Sequence, residues 1–485
     1  MTFRADRFEW GDDAELTWHD EWSLDFDPDQ PRDPAGTSTG GQWTSGSSGS
    51  STSIFVSTPV HDFDPNQARV PGGSPEGGEW TSEGGGVGGG LVASRNITSK
   101  KAAAEGGYAR PDVQAMRQSP KNFKHDVELF SNKDAYPNFK PGELSGTPDE
   151  RARTIIDHLK TNLRLMYDNA SPAIRQSGMG WYDKANKLAV ADAKAFGIDE
   201  KSAAAVIAAL SPQKDWNMNV YLAHRVMEIN ATQKNFRWDS KMDATANAIW
   251  KPKDRELVNA VKGKTLGELS DPVEKAVWIR THDEAHSDRS YRDFDTGQVV
   301  TTAKGVPAKA AWQSIPSIAN AVSAMDSKGD MKVISDSLGD RHKVRSFYNN
   351  IVAPHAPNGD VTVDTHAVGA ALLRPLSGSD TAVMQALGTA PLGSEKPPGW
   401  KAASNSVVTG LKGTYGIYAD AYREVAKDVG ILPQQLQAIT WQAKRALFDI
   451  GDKKKEVVEQ EWINYHQGKQ TLAQTQHKVL SITRD

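Results

Sequence analysis

Cysteine is absent from all 485 residues, which excludes disulfides, thiolate zinc sites and iron–sulfur clusters. Long hydrophobic runs are missing too. The longest, Ala203 to Leu210, falls far short of the ~20 apolar residues a helix needs to cross a bilayer, so no membrane partner is expected. The first 25 residues hold eight acidic side chains and no apolar run, so no secretory leader is expected there and a cytoplasmic setting is. The 12 histidines are scattered, and no His-x-x-x-His or Glu-x-x-His pattern is convincing as a ligand set, so no metal is expected. The glycine runs lack the Lys-Ser/Thr of a phosphate loop, which argues against nucleotide hydrolysis. No cofactor is implied.

What the chain does contain is unevenly distributed. Residues 1–100 carry 16 Asp/Glu against 6 Lys/Arg, leaving the rest of a chain of net charge −4 with +6. An acidic arm on a mildly basic body is compatible with a nucleic-acid partner. The arm, taken as 1–108, also holds a repeat. Residues 26–45 read FDPDQPRDPAGTSTGGQWTS and residues 63–82 read FDPNQARVPGGSPEGGEWTS, with twelve of twenty positions identical. Two copies are too few for a solenoid. Gly/Ser tracts adjoin both, and such sequence cannot bury enough apolar surface to offset its ordering entropy, so the arm is expected to be disordered. The repeated Phe, Arg and Trp-Thr fit a short protein-binding motif used twice, or a duplicated linker. The repeat is similar to segments of phage and prophage proteins, many of them virion-associated.

Behind the arm the texture becomes helical. Residues 149–168 place Ile155, Ile156, Leu159, Leu163 and Met166 at helical spacing. Residues 181–196 follow, with Gly197 as a C-cap, then 200–210 behind the cap Asp199, then 217–229 after the Ser211-Pro212 break. Helices recur at 331–338, 343–351 and 365–373. A strongly amphipathic pair spans 415–430 and 433–450, with Pro433 at a favoured start. Strand alternation is almost absent, so the class is mainly α. The divisions expected are 109–230 and 331–470 as two parts of one helical domain, 231–330 as an irregular insertion with a short hairpin at 296–302, and 471–485 as a tail.

Three segments carry candidate chemistry. Val361–Ala370 reads VTVDTHAVGA. Asp364 there follows a β-branched run and opens a helix, where a carboxylate meets backbone N–H groups and the positive end of the dipole; by itself this is an ordinary N-cap. Leu338–Ile351 reads LGDRHKVRSFYNNI. It sets Lys343 at a helix start, where the neutral amine that a nucleophile requires is more accessible; with Arg341, His342 and Arg345 it reads equally as a phosphate-binding patch. Val206–Met227 breaks an apolar helix at Ser211-Pro212-Gln213 and resumes with Asn217 and Asn219, amides suited to capping or to entering a base stack.

In order and type these segments resemble the helix-hairpin-helix DNA glycosylase superfamily, the endonuclease III and 8-oxoguanine glycosylase group. Leu210-Ser211-Pro212-Gln213 is similar to that family's helix-ending turn, Gly339 to Lys343 to its Gly-x-x-x-Lys hairpin, and Val363-Asp364-Thr365-His366 to the context of its catalytic aspartate. Asp340 and Arg341 depart from the usual Pro-Gly-Val-Gly hairpin. The resemblance implies a helical glycosylase-like domain acting on double-stranded DNA with a flipped nucleotide. It implies Asp364 as the catalytic aspartate of a DNA glycosylase, stabilising the cationic sugar and assisting deprotonation of the attacking group, and Lys343 as the nucleophile if the enzyme is a bifunctional glycosylase/lyase. Gln213, helped by Asn217 or Asn219, would fill the vacated stack, and Gly339, Arg341, Arg345 and His366 would meet DNA. Trp181, Tyr182 and Trp216 are candidates for the base pocket, although aromatics at helical spacing are usually core. Arg423, Lys427, Lys444 and Arg445 fall on a polar face expected to be solvated. Two alternatives remain: an enzyme of this fold that modifies a base without excising it, and a non-catalytic DNA- or virion-binding protein.

Overall fold

The computed structural model describes residues 7–10, 16–19, 110–302, 304–357, 359–391, 396–397, 400–405 and 411–484. Both sequence repeats lie outside the described residues. In the arm, Arg7–Trp10 pairs antiparallel with Leu16–His19. The body is mainly helical. In chain order its helices are α1 (Val113–Met116), α2 (Pro120–Leu129), α3 (Pro148–Asn169), α4 (Pro172–Met179), α5 (Trp181–Phe196), α6 (Glu200–Ala209), α7 (Trp216–Thr232), α8 (Ser240–Ile249), α9 (Arg255–Val261) and α10 (Pro272–His286). There follow α11 (Ile315–Met325), α12 (Met331–Leu338), α13 (His342–Val352), α14 (Thr365–Leu372), α15 (Thr381–Leu387), α16 (Tyr415–Val429), α17 (Pro433–Leu447), α18 (Asp452–His466) and α19 (Leu472–Arg484). No helix among the described residues is long and apolar enough to cross a membrane.

The body divides into a smaller unit, Val190–Gly329, and a larger one made of 110–189 with 330–484. The division falls inside α5, not at residue 231. The stretch 231–330 is a set of short capped helices that belongs with 190–230, rather than an irregular insertion. Asp239 accepts from the Met242 N–H, and Asp271 accepts from Val273 and Glu274 ahead of Pro272. The Lys/Asp-rich stretches are the wet faces and caps of these helices. The hairpin expected at 296–302 is reduced to isolated bridges, Arg292 with Val299 and Thr301 with Pro307. The 471–485 stretch is likewise no tail. It forms α19, packs on α18 and buries Val479.

In the smaller unit α6 is buried from Ser202 to Ala209. Its run of alanines lets α11 and α7 pack close against it. Asp199 caps its start, accepting from Lys201 and Ser202. Nearby, the buried carboxylate of Asp283 on α10 accepts from Arg225 Nε at 2.7 Å and Trp312 Nε1 at 2.9 Å, so its charge is paired and hydrogen-bonded.

The larger unit is built around α14, which packs on α3 and α17. Eight residues are too few to hold a helix in isolation, and neighbouring side chains complete its ends. The last carbonyls of a helix have no partner within it. Here Ala371 O accepts from Asn162 Nδ2 and Leu372 O from Asn138 Nδ2, both at 2.9 Å. Leu373, in the left-handed region at φ 52°, gives its carbonyl to the Trp462 indole at 3.0 Å. Arg374 follows, buried, and grips both carboxylate oxygens of Glu459 on α18.

Candidate active site

The residues leading into α14 are β-branched and extended, and their polar groups are met from outside. The Tyr415 hydroxyl donates to Val361 O at 2.7 Å and accepts from the Val363 N–H at 2.8 Å. Asn350 Nδ2 reaches Thr362 Oγ1 at 3.1 Å. The Tyr182 hydroxyl sits 2.9 Å from both Thr362 Oγ1 and Gln437 Oε1. Gln437 Oε1 can only accept, so the order is Asn350 to Thr362 to Tyr182 to Gln437, each hydroxyl accepting once and donating once. Burial raises the Tyr182 hydroxyl above its ordinary range. This side chain is core, not a wall of an open base pocket.

Of residues 361–373, only Asp364, Thr365 and His366 reach solvent; the ten others are buried. Asp364 is the N-cap of α14. Its Oδ1 accepts from the Ala367 N–H at 2.8 Å and its Oδ2 from the Trp441 indole at 3.0 Å. Both oxygens are thereby oriented, one by the helix it caps and one by α17. Trp441 is a junction: the Arg445 guanidinium lies over its ring at 4.4 Å, His366 meets it edge-on at 5.8 Å, and Trp181 stands 6.2 Å away.

One turn beyond Trp441 comes Lys444. It was expected on a solvated face, yet it is buried, with 6% of its surface exposed. Its Nζ lies 3.3 Å from His366 Nδ1. Gly369 makes the room, since a Cβ there would sit 3.0 Å from Lys444 Cε and 2.9 Å from Arg374 O. Sequence spacing missed Trp441 and Lys444 because it reports which residues share a helix face, not what that face meets. The polar side chain three residues from a large aromatic was the available signal.

Residues 331–352 form two helices joined by a short turn. Helix α12 ends at Gly339, whose φ of 68° turns the chain, and α13 starts at His342 after Arg341. Asp340 is buried and pairs with Lys412 Nζ at 2.8 Å. His342 Nε2 accepts from the Lys412 N–H at 3.0 Å. Burial, aided by the Lys412 charge, pushes the His342 ring down to about 3, so it serves as a neutral acceptor. Arg345 is turned onto α12, donating from both terminal nitrogens to Ser335 Oγ, which commits it to the turn rather than to an outside phosphate. Lys343 lies in the first turn of α13, partly buried. One turn on, Phe347 stands 6.0 Å from Trp181. Residues Lys343 and Phe347 share a helix face.

The other expected residues belong to the smaller unit. Gln213 occupies the turn between α6 and α7 with φ 56°, a left-handed conformation uncommon outside glycine, and is partly exposed. Asn217 and Asn219 are not at an exposed turn. Asn217 is buried, donating to Asp293 Oδ2 and accepting from the Phe294 N–H, both at 2.9 Å. Asn219 is buried too and donates to Ile207 O at 2.9 Å. Satisfied buried amides of this kind hold loops in place, so neither is available to fill a base stack. Trp216 packs edge-on against Phe294 at 5.7 Å. Among the described residues no three His, Asp or Glu are grouped so as to hold a metal. His282 and His286, one turn apart on α10, instead stack with Trp278 and Phe236.

A family model described as a family of unknown function, DUF7178, matches residues 147–266 and 399–447. These stretches include Trp181, Tyr182, the Gln213 turn, Trp441 and Lys444; Lys343 and Asp364 lie between them. No curated protein and no solved structure matches.

Proposed function

We propose that the protein is a DNA glycosylase that removes a base from a flipped nucleotide, with Asp364 as its catalytic carboxylate. The observation that carries this reading is the solvent window at Asp364–His366 in an otherwise buried segment, with the carboxylate oriented by two N–H donors. A plain cap needs only the first of them. The helix–turn–helix of α12 and α13, joined by a glycine-led turn ahead of this acid, supports the same reading.

A base stacked in a duplex is out of reach, so the nucleotide must be extruded, at a cost of a few kcal/mol. At the window, the Asp364 carboxylate stabilises the positive charge that grows on the sugar as the bond to the base breaks. In the hydrolytic form, water attacks the sugar carbon and gives a proton to Asp364, and the base departs with the bonding electron pair. In the lyase form, the Lys343 amine takes the place of water: it forms the carbon–nitrogen bond as the base leaves and passes a proton to Asp364, and opening of the sugar-ring C–O bond then gives the imine that borohydride traps.

The test is base release from a panel of duplexes carrying damaged or modified bases, read by mass spectrometry. Asp364→Asn keeps an oxygen for the cap, so the fold should persist while release falls by about 10²-fold or more. Release on no duplex, or release unaffected by Asp364→Asn, overturns the assignment. Borohydride trapping that depends on Lys343 identifies the lyase form; release without trapping identifies the hydrolytic one.

A further inference from the structure

We infer that Lys444 is a positioning residue that fixes the tautomer of His366, placing the ring proton on Nε2 and keeping Nδ1 as an acceptor. An ammonium has three donors and no acceptor, whereas a neutral imidazole has one of each. With Lys444 Nζ 3.3 Å from His366 Nδ1, the bond exists only if Nδ1 carries the lone pair. The arrangement is built rather than incidental. Lysine is almost never buried without a partner. This one is packed against Gly369 and stands one turn from the tryptophan that orients Asp364. One face of α17 therefore meets two of the three window residues, the carboxylate through Trp441 and the imidazole through Lys444.

The consequence is that, in the neutral ring, the N–H faces away from Lys444 on Nε2, while Nδ1 is taken up by the Lys444 contact. The bearing of this on catalysis rests on the glycosylase reading; the tautomer itself does not.

The experiment uses the full chain labelled with ¹⁵N-histidine, with His366 assigned by loss of its signals in His366→Gln. In the native protein the His366 resonances should show a protonated Nε2 and a lone-pair Nδ1. Lys444→Gln keeps an N–H donor and should preserve that pattern. Lys444→Met keeps the bulk without the donor and should give a mixture of tautomers. Base release, on whichever duplex the native protein cleaves, should fall about tenfold in Lys444→Met and recover at least partly in Lys444→Gln. A protonated Nδ1 in the native protein, or an unchanged spectrum in Lys444→Met, overturns the inference. If no duplex releases a base but the spectra behave as stated, the glycosylase reading fails and the tautomer assignment stands.

Discussion

The Trp441 indole and the Asp364 carboxylate are joined by a 3.0 Å hydrogen bond across two helices, and the other Asp364 oxygen is held by the helix that it caps. The two bonds separate what the acid does for the fold from what it does at the window. Trp441→Phe keeps an aromatic ring but removes the second bond together with the five-membered ring that carries the N–H. Unfolding free energy should fall by about 1–3 kcal/mol, the lost bond and the trimmed ring together, while base release should fall by about tenfold or more. Thermal melting and single-turnover kinetics on the same sample check the pair of outcomes. Asp364→Ala, which removes the cap as well, should cost about 1 kcal/mol of stability.

Gly369→Ala tests the space beneath Lys444. The added methyl would meet Arg374 O at 2.9 Å and Lys444 Cε at 3.0 Å. Overpacking of this kind costs about 1–3 kcal/mol. That loss should appear in urea unfolding even though alanine is the better helix former. A stabilised Gly369→Ala would show that the lysine is not wedged as described.

Arg374→Met should be among the most damaging single changes in the larger unit. The buried guanidinium holds Glu459 and also donates to Ala135 O at 2.7 Å. Removing one partner of a buried pair costs roughly 3–5 kcal/mol. Glu459 keeps some access to water, with 31% of its side chain exposed, so the loss should fall at the lower end. Chemical denaturation gives the value directly.

His158 should make the protein acid-labile. It is buried among Phe139, Trp462 and Tyr465, and neither ring nitrogen has a hydrogen-bond partner among the described residues. Burial pushes its folded value down to about 4, below the ~6.5 of an unfolded histidine. The neutral ring is therefore favoured by folding. Its contribution is fully present above about pH 6.5 and is lost progressively as pH falls towards 4. His158→Phe should lose less stability than the native chain between pH 7.5 and 4.5, measured by urea midpoints at each pH.

Much of the helical skeleton could be read from caps and breaks. Asp199, Gly197 and Pro433 mark ends that the structure places where local chemistry puts them. The same chemistry at Asp239 and Asp271-Pro272 was available for 231–330, but the charge of that stretch masked the short buried faces between the caps. At the site, Asp364 could be found from its VTVDTH setting because capping is local. The fates of Asn217 and Lys444 could not. An amide looks the same in sequence whether it faces water or locks a loop. A lysine on an amphipathic helix is read as wet unless one knows that a glycine from another helix has left a space for its stem.

The carbonyls at the end of α14 are satisfied by Asn138, Asn162 and Trp462, none of which touches the window in which Asp364 lies. On the glycosylase reading, the support of the helix's last turn and the chemistry at its first rest on different atoms of the same short helix. A descendant of this chain could surrender the carboxylate and remain a well-folded protein. Inactive relatives that keep the three supports, and lose the acid, are therefore an evolutionary outcome this architecture leaves open.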